Sequence, residues 1–172
     1  DWSSDVCSSD PGVLERTVFP ARLADPVANE ALALARQIAE KLGLVGLLGV
    51  EMFELPGGKI LVNELAPRVH NSGHLTVEAC HTSQFEQLIR AVAGLPLVDP
   101  ARHADVEMRN LVGADVNNLE AYLSDPAAHI HLYGKAEPRR ARKMGHLTLL
   151  ASDLDAVRVE IAGAAGLLGL RV

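Results

Sequence analysis

The sequence predicts an α+β protein: a mostly antiparallel sheet flanked by helices, followed by a smaller β-rich C-terminal domain. Three observations carry that prediction. Apolar strand-like runs at residues 47–55 and 59–65 flank Pro56-Gly57-Gly58, a strong hairpin signal. Helical periodicity stands on either side of them, in Val27, Ala31, Leu34, Ala35, Ile38 and Leu42, and again in Phe85, Leu88, Ile89 and Val92. Strand patterns then recur at 106–113, 129–133 and 144–150 with only a short helical pattern among them.

Each element has a local reason. Residues 1–10 lack any periodicity and read as a foreign or disordered N-terminal segment, set apart from the fold. Residues 13–21 read as a strand that Pro20 ends. Asp25 fits an N-cap with Pro26 at the first helical position, and Gly43 stops that helix. Gly46 and Gly49 fall in the next strand, where a missing side chain admits a close approach of backbone or ligand. Ser83 and Glu86 have capping-box spacing and open a second helix, which Gly94 and Pro96 close. Residues 98–103 read as a linker, which divides a first domain, 11–100, from a second, 101–172. In the second, 119–123 reads as a short helix stopped by Asp125-Pro126. Ser152-Asp153 could cap a last helix, which Gly163, Gly166 and Gly169 weaken by about 1 kcal/mol each.

Composition narrows the function. A hydrophobic share of 48% is ample for a core, whereas 3% aromatics is too little for a base-stacking platform. A net charge of −6 argues against a nucleic-acid backbone as partner. No apolar run reaches the roughly 20 residues that span a membrane. Cys7 and Cys80 make no disulfide framework, which fits a reducing cytoplasm.

The densest polar chemistry follows the second hairpin strand: Asn63-Glu64-Leu65-Ala66-Pro67-Arg68-Val69-His70-Asn71-Ser72-Gly73-His74. With the turn centred on Gly57 and Gly58, opposed residues have numbers summing to 115, so Glu51 faces Glu64, Phe53 faces Val62 and Leu55 faces Ile60. Two carboxylates with Cβ atoms about 5 Å apart repel unless a cation lies between them. Two readings fit: a solvated acidic patch, or a site for a hard cation such as Mg²⁺, which takes one or two carboxylates plus substrate phosphates. Arg68 suits either a surface acid or bidentate capture of a small oxyanion. His70, His74 and His81 match no tight zinc spacing. The run Lys135 to Lys143 holds five cations and one acid, and fits either a solvated loop or a phosphomonoester site.

The polar run from Asn63 to His74 resembles the motif of the N5-carboxyaminoimidazole ribonucleotide synthases, ATP-grasp ligases of purine biosynthesis. The resemblance continues through Ser83-Gln84-Phe85-Glu86-Gln87, Ala91 to Leu97, Asn110-Leu111-Val112-Gly113 and Arg142-Lys143-Met144-Gly145-His146-Leu147. It implies that the chain is the C-terminal half of an ATP-grasp domain followed by a small C-terminal domain. The first half of the nucleotide site is missing from that correspondence, so the chain alone is expected to be inactive. The implied activity is ATP-dependent carboxylation of 5-aminoimidazole ribonucleotide with bicarbonate through carboxyphosphate, in a cytoplasmic homodimer. Implied roles are Mg²⁺ (or Mn²⁺) on Glu51 and Glu64, ATP on Asn63 and Glu64, and bicarbonate or carboxyphosphate on Arg68 and His70. Asn71, Ser72, Lys135, Arg142 and Lys143 would bind the ribonucleotide. The family usually carries Pro-Gly where this chain has Arg140-Ala141. A different ATP-grasp carboxylase, such as a biotin carboxylase relative, and a non-catalytic binding fragment are the alternatives; the basic loop argues against the former.

Overall fold

The computed structural model describes residues 6–10 and 13–151. Its elements are β1 (Val6–Asp10), β2 (Val13–Phe19), α1 (Asp25–Lys41), β3 (Gly49–Leu55), β4 (Lys59–Ala66), α2 (Thr76–Ala79), α3 (Gln84–Val92), β5 (Asp105–Val112), α4 (Leu119–Leu123), β6 (Ala128–Leu132) and β7 (Lys143–Ala151). A 3₁₀ turn, Asn71–Leu75, leads directly into α2. The last helix expected after Ser152 lies outside the described residues. The described residues divide into two compact units, residues 20–103 and a second formed by the N-terminal strands with residues 104–151.

In the first unit, β3 and β4 form a two-stranded antiparallel ribbon. Its turn corrects the expected register. Leu55 pairs with Lys59, so the loop has three residues, Pro56 to Gly58. The Gly58 N–H donates to the Leu55 carbonyl at 3.0 Å, with Pro56 second and Gly57 third in the turn. Gly57 has φ +86°, the left-handed value that this turn position demands and glycine supplies. Phe53 therefore pairs with Leu61, not Val62, and Leu55 with Lys59, not Ile60. A bulge between Glu51 and Met52 then leaves Asn63 as an extra residue on β4 and returns Glu51 to Glu64. The expected opposition of the two carboxylates is present because a longer turn and a bulge offset each other.

The helices differ in detail from expectation. The N-cap of α1 is Ala24, which makes no side-chain cap, and Asp25 sits inside the first turn, where its charge complements the helix dipole. At α3, Ser83 caps as expected by accepting from the Glu86 N–H, while the Glu86 carboxylate turns to Arg90 at 2.8 Å. The expected apolar face of α3 is largely solvated: Phe85, Ile89 and Val92 are exposed, and Gln84 and Gln87 are buried instead. The loops that α3 covers present backbone polar groups, and glutamine satisfies these where phenylalanine cannot. Gln87 accomplishes this by donating to the Val98 carbonyl and accepting from the Val98 N–H.

The second unit is a five-stranded antiparallel sheet in the order β1-β2-β5-β7-β6. Leu111, Tyr122, Leu147 and Leu149 form its core cluster, with Leu119, Ala128 and Ile130 packed against them. Two expectations change here. Residues 6–10, set apart as foreign or disordered, form a strand against β2; strand pairing is made by the backbone and leaves little signature in side-chain pattern. And β2, assigned by sequence to the 11–100 domain, pairs with β5, burying Thr17, Val18 and Phe19. Gly145 sets the β6–β7 approach, since a Cβ there would lie 2.3 Å from the His131 carbonyl oxygen.

Candidate active site

The bulge determines what the carboxylates meet. In a regular strand Asn63 and Glu64 would face opposite sides. Two residues opposing one let both serve Glu51: Glu64 pairs with it across the ladder, and Asn63 Nδ2 donates to Glu51 Oε2 at 3.1 Å. The other oxygen, Oε1, lies 3.0 Å from His70 Nε2. Both oxygens of Glu51 are thus oriented by a donor and each retains lone-pair capacity for a cation. Glu64 is exposed.

His70 is held on three sides. Its Nδ1 accepts from the Ser72 N–H and lies 2.9 Å from the Ser72 hydroxyl. An N–H can only donate, so Nδ1 carries the lone pair and the neutral ring bears its proton on Nε2, directed at Glu51. Against its flat side runs Gly49, where a Cβ would stand 3.1 Å from the His70 Cβ. The close approach expected at Gly49 is therefore that of an imidazole.

The backbone of His70 is fixed by Gln84, the first residue of α3. Gln84, 1% exposed, accepts from the His70 N–H at 2.9 Å and donates to the His70 carbonyl at 2.8 Å. Its amide imitates the edge of a neighbouring strand. The amide nitrogen also lies 2.8 Å from His74 Nδ1, and His74 stacks on Phe85 at 5.3 Å. Gly73 makes room, because a Cβ there would lie 2.7 Å from Gln84 Oε1. The advance signal of Gln84 was its place in the Ser83–Gln87 stretch of the resemblance, which carried no role for it. An apolar cleft lined by Leu32, Ala39, Leu48, Val50 and Ala91 lies apart from these groups, Val50 being on the opposite face of β3 from Glu51.

The remaining expected residues divide between the units. Arg68 is exposed, with Nη1 donating to the Val69 carbonyl at 2.9 Å, and Asn71 and Ser72 open the 3₁₀ turn. In the second unit, Lys143 starts β7 and its carbonyl accepts from Lys135 Nζ. Arg142 Nη1 donates to the Glu137 carbonyl at 3.3 Å, and Arg139 pairs with the Glu137 carboxylate at 2.8 Å. The Arg142 N–H closes a turn on the Arg139 carbonyl at 3.0 Å. Ala141, third in that turn, has φ +61°, the conformation for which glycine is suited. Lys135, Arg142 and Lys143 thus share one loop region.

Among the described residues, no three His, Cys, Asp or Glu side chains converge as metal ligands. His70, His74 and His81 face separate partners, the last lying 5.6 Å from His103. The Glu51–Glu64 pair offers hard oxygen donors and fits Mg²⁺, which completes its shell with water and phosphate. No helix among the described residues is long and apolar enough to cross a membrane.

The β3–β4 ribbon bearing paired carboxylates falls within a match that defines the class: residues 7–85 match the ATP-grasp domain. Residues 107–160 match the phosphoribosylaminoimidazole carboxylase C-terminal domain. The chain belongs to the N5-carboxyaminoimidazole ribonucleotide synthase family of ATP-grasp ligases. The synthase of Brucella melitensis is 50% identical over 137 residues, 80% of this chain and 38% of that protein. That of Bacillus subtilis is 46% identical over 83% of this chain and 38% of its own length. The Aspergillus clavatus enzyme, solved with ADP and 5-aminoimidazole ribonucleotide, is 31% identical with a TM-score of 0.91, covering 98% of this chain and 47% of that one. The chain therefore spans about two fifths of the length of the curated relatives it matches.

Proposed function

We propose that these residues form part of a cytoplasmic, homodimeric 5-(carboxyamino)imidazole ribonucleotide synthase. In the reaction, bicarbonate oxygen attacks the γ-phosphorus of ATP, giving carboxyphosphate and ADP. The exocyclic amine of 5-aminoimidazole ribonucleotide then forms a C–N bond to the carboxyl carbon as the C–O bond to phosphate breaks, and the amine proton leaves with phosphate or solvent. The observation that carries the reading is the opposition of Glu51 and Glu64 across the bulge, with His70 on Glu51.

Glu51 and Glu64 would hold Mg²⁺ or Mn²⁺, which supplies neutralisation of phosphate charge. Asn63 and Glu64 contribute to the ATP site. Arg68 presents its fork to bicarbonate and carboxyphosphate, and His70 keeps Glu51 oriented while standing beside that anion. Asn71 and Ser72 bind the ribonucleotide. Lys135, Arg142 and Lys143 hold its 5′-phosphate, for which a loop rich in ammonium and guanidinium donors is suited. In the full-length enzyme, product formation should require ATP, bicarbonate, the ribonucleotide and a divalent ion together. Turnover in the absence of bicarbonate or of the ribonucleotide would overturn the assignment.

A further inference from the structure

The second unit contains aromatic groups that the assigned roles leave unused. Tyr133 lies between two of them and the loop: its hydroxyl is 2.9 Å from His146 Nδ1, and its ring lies 5.8 Å from the His146 ring. His146 is 4% exposed, and His131 stacks on it at 4.6 Å and 14°. The stack is rooted in the sheet, because His131 and His146 are ladder partners of β6 and β7. At the other end, the ammonium of Lys135 sits 5.4 Å from the centre of the Tyr133 ring while donating to the Lys143 carbonyl.

We propose that Tyr133, anchored on buried His146 and the His131 ring stacked on it, is a positioning residue that holds the Lys135 ammonium for the ribonucleotide phosphate. The inference rests on Lys135 being a phosphate ligand, as proposed above. Lysine is a flexible point charge, and an exposed one spreads over many rotamers. Two restraints fix it here: the Lys143 carbonyl takes one N–H, and the Tyr133 face attracts the charge. The ammonium still has two further N–H donors for a phosphate. The Tyr133 N–H donates to the Met144 carbonyl at 2.9 Å, so ring and ammonium are both referred to the start of β7.

An exposed cation–π contact is worth a two- to fivefold change in affinity. The test is a double-mutant cycle in the full-length enzyme, with KM for 5-aminoimidazole ribonucleotide and for ATP measured for Tyr133→Leu, Lys135→Ala and the pair. Tyr133→Leu is expected to raise the ribonucleotide KM two- to fivefold, with kcat and the ATP KM within twofold of the parent. In the Lys135→Ala background the same change should have no further effect. Tyr133→Phe keeps the ring and should fall between, and it serves as the variant of choice should Tyr133→Leu not fold. If Lys135→Ala raises the ribonucleotide KM while the Tyr133 variants do nothing, or act equally in both backgrounds, the positioning role is wrong and the phosphate assignment stands. If Lys135→Ala leaves that KM unchanged, the phosphate assignment of Lys135 and the role of Tyr133 both fail.

Discussion

Replacing Gln84 by methionine keeps most of the side-chain volume and removes three polar contacts: those to the His70 N–H, the His70 carbonyl and His74 Nδ1. Each is worth about 1 kcal/mol net, and more where water cannot reach the abandoned partner. Gln84 is 1% exposed, so its partners lose their contact on a dry side. The expected loss is about 3 kcal/mol, read from the midpoint of chemical unfolding at constant slope. Function should fall as well, because the His70 ring is placed by its backbone: released, it drifts from Gly49 and from the Glu51 oxygen 3.0 Å away. Turnover in the full-length enzyme should drop by about tenfold or more, with the KM for the ribonucleotide phosphate end little altered. Gly73→Ala supplies an internal control. Its Cβ would press on Gln84 Oε1, so it should destabilise by about 1–3 kcal/mol alone and by less in a Gln84→Ala background. A Gln84→Met enzyme within about 0.5 kcal/mol and twofold of the parent would refute the reasoning.

Three further outcomes are expected. Glu64→Gln should abolish divalent-ion-dependent ATP turnover while circular dichroism and unfolding stay unchanged, since Glu64 is exposed; normal turnover would remove it from the metal site. Arg142→Ala should raise the ribonucleotide KM by about tenfold or more and leave the ATP KM within twofold, whereas a merely solvated loop would leave both unaltered. Restoring Pro-Gly with Arg140→Pro and Ala141→Gly should stabilise the protein by about 1 kcal/mol, because Ala141 stands at φ +61° and the turn's second position favours proline; a destabilised double variant would contradict that account.

The parts of this molecule legible in the sequence are those with a local cause. Pro56-Gly57-Gly58 announced the ribbon, Ser83 announced α3, a strand-like run announced β5, and alternation announced β6 and β7. Parts with a non-local cause were misread. Phe85, Ile89 and Val92 have the spacing of a buried face, yet what lies under α3 is backbone needing hydrogen bonds, so Gln84 and Gln87 went inside. Spacing within one helix carries no information about the polarity of its neighbour. The grouping of β2 with β5 was likewise invisible, because antiparallel partners 91 residues apart, such as Thr17 and Met108, share no local signal. The two carboxylates were matched correctly with the wrong turn, since an error of one residue at the tip was undone at the bulge.

That bulge implies a trade between robustness and use. Removing Asn63 would leave every other pair of the ladder where it is, from Gly49 with Ala66 to Leu55 with Lys59. The ribbon would become regular, gaining hydrogen bonds that the present strand forgoes. What it would lose is the amide on Glu51 and the extra twist, and with them the orientation of one carboxylate oxygen. Asn63 is therefore supernumerary for the ladder, while its amide holds one oxygen of Glu51. Selection for thermal stability alone would be expected to delete it, and selection for the proposed ATP site to keep it.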